Sequence, residues 1–163
     1  MADIPVCLTE LELQIAAMTG ASRYWHVRNR GMKNRPAQSH EDGLGLARHV
    51  EGAAGEMALA KVLKRYWVPS VNAFKVADIG KNIQVRTRTK DEYEMIVRDH
   101  DSDDHYFVLV TGTAPEFKVR GYIKGADAKR DCWKRSYGGG MLSYFVPHAE
   151  LCAINLKTQC GDG

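Results

Sequence analysis

The chain has 163 residues, of which 44% are hydrophobic and 26% charged, with a formal net charge of +3. That profile suits one globular domain with a buried core; the longest uninterrupted apolar run, Tyr106 to Val110, falls far short of the ~20 residues that a membrane-crossing helix needs. No basic segment followed by an apolar block opens the sequence, and Cys7, Cys132, Cys152 and Cys160 stand at unpatterned spacings, which reads as reduced thiols in a cytoplasmic protein rather than a disulfide framework.

The first element is a helix from about Glu10 toward Arg30. Thr9 and Glu12 form a T-x-x-E capping box, Leu8 and Leu13 are placed as a hydrophobic staple, and Leu11, Ile15, Met18 and Ser22 recur at helical spacing. Gly20 costs that helix about 1 kcal/mol relative to Ala. Residues 31–43 read as a loop, and a second helix is predicted over about Leu44 to Tyr66, with Leu46, Val50, Ala53 or Ala54, Met57, Ala58 and Val62 on its buried side. Gly52 and Gly55 within it are unfavourable unless a sheet or backbone approaches closely.

After Pro69 the pattern changes to strands. Val71 to Asp78 and Asn82 to Thr89 read as a hairpin turning at Gly80 and Lys81, and Glu94 to Arg98 reads as a third strand. Tyr106 to Thr111 is apolar enough for burial on both faces. Phe117 to Ile123, a short helix over about Ala126 to Lys134, a flexible loop at Tyr137 to Gly140 and a last strand over Ser143 to Val146 complete the series. The fold class is α/β (α+β), a mixed central sheet flanked by helices. Residues 1–43 form an N-terminal helix and basic loop packed on a core domain of 44–157, and 158–163 form a frayed tail.

Charge is unevenly spread. Arg23, Arg28, Arg30, Lys33 and Arg35 fall within thirteen residues that contain no acid, together with Tyr24, Trp25 and His26. Lys118 to Arg135 is a second basic stretch, and Asp91 to Asp104 between them is acidic. Segregated cations are what a polyanion-binding face needs, and a solvated mixed surface is the alternative.

The Asn82 to Thr89 strand is the most informative segment. Alternation sends Ile83, Val85 and Thr87 one way and Gln84, Arg86 and Arg88 the other, with Lys90 in line. Asp78 just before the turn and Glu56 from the glycine-rich helix can join Gln84 as oxygen donors for a hard divalent cation such as Mg²⁺ or Mn²⁺. Nearby guanidinium groups suit a phosphate. The plainer alternatives are an exposed helix glutamate, a turn aspartate and the outer face of an edge strand.

Gly52-Ala-Ala-Gly-Glu-Met-Ala58, Asp78, Ile83-Gln-Val-Arg-Thr87, Tyr106-Phe-Val-Leu-Val110 and Val119-Arg-Gly-Tyr-Ile-Lys-Gly125, in that order, resemble the PD-(D/E)xK nuclease-like superfamily, and within it small phage and prophage proteins. The resemblance covers roughly Leu44 to Pro147. It implies a restriction-endonuclease-like α-β-β-β-α-β core and metal-dependent cleavage of DNA phosphodiesters. By position Glu56 matches the helix glutamate and Asp78 the strand-end aspartate. Gln84 stands where the second acid normally stands, and Arg86 where the catalytic lysine stands. An arginine stays protonated, so Arg86 would orient water or the scissile phosphate rather than take a proton. Arg88, Lys90, Arg28, Arg30, Lys33, Lys129 and Arg130 would follow the DNA backbone. The leading expectation is therefore a metal-dependent DNA nuclease, and the alternative, which the loss of one acid and of the lysine fits, is a nuclease-like module that binds DNA or a protein without cutting. DNA is the expected partner, a membrane is not, a homodimer is compatible, and the site of action is the cytoplasm, that of the host if phage-encoded.

Overall fold

The computed structural model describes residues 3–30, 42–71, 76–137 and 141–155. In chain order the elements are β1 (Ile4–Cys7), α1 (Glu10–Asn29), α2 (Asp42–Val62), β2 (Ile83–Arg88), β3 (Met95–Arg98), β4 (Tyr106–Thr113), β5 (Glu116–Lys124), α3 (Gly125–Ala128), β6 (Lys134–Tyr137) and β7 (Met141–Val146). Among the described residues the strands form two sheets, one ordered β1-β5-β4-β2 and the other β3-β7-β6. The first is mixed, because β2 runs parallel to β4 while β4–β5 and β1–β5 are antiparallel. No helix among the described residues is long and apolar enough to cross a membrane.

Alternation along the strands of the first sheet divides the interior into two cores. Val85, Val108, Val110, Phe117 and Val119 face the helices and bury against Ala53, Ala54, Ala58 and Leu59 of α2. From the opposite face, Phe107, Leu109 and Ile123 bury against Met95, Val97, Tyr144 and Val146 of the second sheet. The molecule is therefore layered as helices, mixed sheet and second sheet. The β4 segment is covered from both sides, which explains its unbroken apolar run.

Both bonds of the capping box are present: Glu12 N–H donates to Thr9 Oγ1 at 3.3 Å, and Thr9 N–H donates to Glu12 Oε2 at 2.7 Å. From there α1 packs on α2 through small residues, burying Ala16, Thr19 and Gly20 with Tyr24. A Cβ on Gly20 would lie 2.5 Å from Val50 Cα, so backbone meets backbone at this crossing. Gly20→Ala is expected to cost about 1–3 kcal/mol by urea titration, despite the helix propensity Ala gains, because neither backbone can yield. Gly55 has the same function toward the sheet, since an added Cβ would run into the Thr87 side chain on β2, whereas at Gly52 the space is open.

Several expected elements take a different form. The second helix ends at Val62, not Tyr66, because Lys64 adopts a left-handed φ of +53° and the Arg65 N–H turns back to the Ala60 carbonyl. The hairpin of Val71 to Asp78 with Asn82 to Thr89 is replaced by a tight turn. Residues 72–75 lie outside the description, 76–78 are not strand, and one Ile79–Ile83 bridge remains. The reason is that β2 finds its partner in β4, so it is an edge strand of the sheet. Between those two parallel strands the chain leaves the sheet to form β3 against β7, so the order α-β-β-β-α-β is not traced as consecutive neighbours of one sheet. The expected helix over Ala126 to Lys134 is one turn, α3, followed by a 3-10 turn at Asp131–Trp133. Strands β1 and β6 were not foreseen. The Gly138 to Gly140 loop and the 158–163 tail lie outside the described residues.

Candidate functional site

The centre of the site is built where α1, α2 and the turn before β2 meet. Glu56 projects from α2 into the interior and is only 8% exposed. Arg23 of α1 grips it with both ends of its guanidinium, Nη1 to Oε1 at 2.6 Å and Nη2 to Oε2 at 2.9 Å. Trp67 Nε1 donates to Oε2 at 3.1 Å, and Arg23 Nε donates to the Ser70 carbonyl at 2.7 Å. Each carboxylate oxygen therefore has a charged donor, in the bidentate geometry that suits arginine. Arg23 was recognised in the sequence only as one cation of a basic segment; its position on the Gly20 face of α1 is the signal that could have placed it indoors.

Asp78 lies beside this pair. Its Oδ2 accepts the Val85 N–H at 2.7 Å, which occupies a donor on the open edge of β2. Burial, and next the charge of Glu56, push the Asp78 carboxyl up to about 6, against the Val85 hydrogen bond and the charges of Arg86 and Arg23, which pull it down. His49, packed edge-on against Tyr24, is held below its ordinary value by burial and by the Arg23 charge.

Gln84 and Arg86 belong to the other face of β2. Gln84 Nε2 donates to the Val76 carbonyl at 3.2 Å and approaches His105 Nδ1 at 3.5 Å. Arg86 lies over the Phe107 ring at 4.8 Å, donates from Nε to the Ile96 carbonyl at 3.1 Å, and pairs with Asp101 at 2.6 Å. Against the burial that raises it, the Arg86 charge holds the Asp101 carboxyl below its ordinary range. Arg86 thus ties the two sheets together. The structure brings Glu56 and Asp78 into one electrostatic unit and gives Gln84 and Arg86 partners of their own.

The residues as arranged do not fit a divalent cation. The Glu56 oxygens already accept from Arg23 and Trp67, and the guanidinium supplies the positive charge a metal would bring. Among the described residues no group of three His, Cys, Asp or Glu side chains is arranged to hold a metal ion.

The cations expected on DNA divide into two sets. Lys129 is turned inward, bonded to the Asp99 and Asp101 carbonyls and paired with Asp103 at 2.7 Å. Arg130 pairs with Glu150 at 3.1 Å and covers the Trp133 ring. Likewise Lys118 pairs with Asp91, and Arg135 with Glu94 at 3.0 Å. The acidic and basic blocks that are separate along the chain therefore neutralise one another in space. By contrast, Arg88 and Lys90 form no ion pair among the described residues. Both lie over the Tyr93 ring, at 4.8 and 5.4 Å, and the buried Arg88 Nε has no hydrogen-bond partner. Arg28 is exposed, bonded to the Tyr24 hydroxyl and set over Trp25. Arg30 is exposed at the end of α1, and Lys33 lies outside the described residues.

A cleft of about 890 Å³ opens at the C-terminal ends of the parallel strands β2 and β4, where open α/β sheets bind ligands. Lys90 and Lys118 line it with Asp91, Glu92 and Glu116, so the cleft itself is not electropositive. Cys7 opens on the same cleft; it, Cys132 and Cys152 are exposed free thiols, and Cys160 lies outside the description.

No protein-family model, no curated protein and no solved structure matches the chain.

Proposed function

We propose that this protein is a non-hydrolytic nucleic-acid-binding module acting in the cytoplasm. The observation that carries the reading is the bidentate Arg23–Glu56 pair: the carboxylate that the nuclease resemblance assigns to a metal is instead neutralised by the chain's own arginine. Arg88 and Lys90, held over the Tyr93 ring, supply the recognition chemistry, since cations without acidic partners displace counterions from phosphates.

A second reading, the metal-dependent DNA nuclease, is favoured by one observation. Glu56 and Asp78 are close enough for the charge of one to raise the proton affinity of the other, as paired ligands of a shared cation are.

One experiment separates them. Fluorescence anisotropy with labelled single-stranded and duplex DNA, run with Mg²⁺, Mn²⁺ or EDTA, is expected to show binding that needs no metal, weakens with salt and leaves the DNA intact. Replacing both Arg88 and Lys90 by Ala should lower the slope of log K against log salt by about 2 for a duplex, because two phosphate contacts are lost. Unchanged affinity and slope in that variant would sink the assigned surface. Cleavage that requires Mn²⁺ and vanishes in Glu56→Gln would establish the second reading instead.

A further inference from the structure

The apolar stripe that marks α1 as a helix is not the face it buries. Leu11, Ile15, Met18 and Trp25 are 66%, 39%, 71% and 51% exposed, and with exposed Ser22 they form one line along the outside of the helix. Their spacing of four, three, four and three residues is the seam of a two-helix coiled coil. No charged side chain interrupts it. The opposite face, with Ala16, Thr19 and Gly20, is already committed to α2. Among the described residues the stripe is therefore surplus to the fold of one chain, and an apolar band of this kind on a protein surface marks a contact site.

We infer that this stripe is a self-association surface, on which α1 of a second copy lies antiparallel about a two-fold axis at Met18. Charge selects both the partner and the direction. The first turn of α1 carries Glu10 and, already paired with Lys61, Glu12, and the last turn carries His26 and Arg28. An antiparallel pair sets each acidic turn beside the partner's basic turn, whereas a parallel pair would set like beside like. With Met18 against Met18, Leu11 falls against Trp25 at both ends, giving each end an aromatic anchor of the kind that dominates interface energetics. From Leu11 to Trp25 the seam is about 21 Å long at 1.5 Å per residue. An antiparallel pair about a two-fold axis is isologous, so it closes as a dimer and leaves no end to propagate.

Sedimentation equilibrium of the full chain from 5 to 200 μM, at low ionic strength, is the first test. The expected result is a reversible dimer of twice the 18.2 kDa chain mass. Met18→Glu should weaken it at least tenfold while leaving the far-ultraviolet circular dichroism unchanged, because the side chain is 71% exposed in the single chain. In a background with the native cysteines replaced by Ser, Met18→Cys should cross-link on mild oxidation and Leu11→Cys should not. A monomer at every concentration overturns the inference and leaves the stripe to a different partner. A dimer untouched by Met18→Glu also overturns it, as does cross-linking of Leu11→Cys as fast as Met18→Cys, which means a parallel pair.

Discussion

Arg23→Ala is expected to be the most damaging single substitution at the centre of the molecule, with a loss of about 3–5 kcal/mol in unfolding free energy at neutral pH. The side chain is mostly enclosed, and removing it leaves the Glu56 carboxylate buried with only Trp67 as a donor and the Ser70 carbonyl without Arg23 Nε. Much of the loss comes from the stranded charge rather than from the missing attraction, which separates this pair from exposed ones such as Lys61–Glu12. Adding Glu56→Gln to Arg23→Ala should therefore restore part of the stability, a sign that simple additivity would not give. Urea titration of the two single variants, the double variant and the parent measures this. A double variant as unstable as the two losses combined would refute the stranded-charge account.

Asp78→Asn is expected to raise stability at pH 7.5 and to flatten its pH dependence between about 4 and 6. The sign follows from proton binding. Below the ordinary 3.8 of an aspartate both folded and unfolded chains hold the proton, so no stability is lost there. Between 3.8 and about 6 the folded chain keeps a proton that the unfolded chain has released, so stability falls as pH rises through that window. Above it the whole cost of burying the charge beside Glu56 is present, roughly 3 kcal/mol at 1.36 kcal/mol per pH unit. Asparagine keeps the oxygen that accepts the Val85 N–H and removes the charge. Asp101 and Glu12, whose carboxyls are lowered, contribute with the opposite sign in both proteins, so the difference between parent and variant is the quantity to follow. Parallel pH profiles for the two would show that Asp78 does not titrate in this window.

The local signals in the sequence carried through, and the pairings did not. Thr9 and Glu12 formed the capping box that their spacing announced, because both bonds lie within one turn. The alternation of Ile83, Val85 and Thr87 against Gln84, Arg86 and Arg88 was equally legible, since a strand has only two faces. Which element covers each face is a different question. Gly80 and Lys81 suggested an antiparallel neighbour for β2, but β4, reached after a further strand in another sheet, took that place. Apolar spacing in α1 located a helix without saying that Gly20 and Ala16, not Leu11 and Met18, are the residues that touch α2. The same limit explains the charges: Lys129 and Arg135 look like members of a basic tract until Asp103 and Glu94 fold against them. Of the candidate site, Glu56, Asp78 and Gln84 were expected as one cluster, whereas Gln84 turns to the Val76 carbonyl and His105 on the other face of β2. That an arginine from α1 would enter between elements so far apart could not be anticipated from chain order.

The pairing of β1 with β5, in which Ile4 lies opposite Val119, has a consequence for the order of synthesis. A nascent chain presents β1 and both long helices well before the strand that pairs with β1 exists. The sheet against which α2 buries Ala53, Ala54 and Leu59 cannot close until β5 has left the ribosome, so those side chains wait in a partly assembled intermediate. The sheet therefore closes only once β5 is available, and any shortened chain that stops before residue 119 lacks the strand that completes the cover over its own helices.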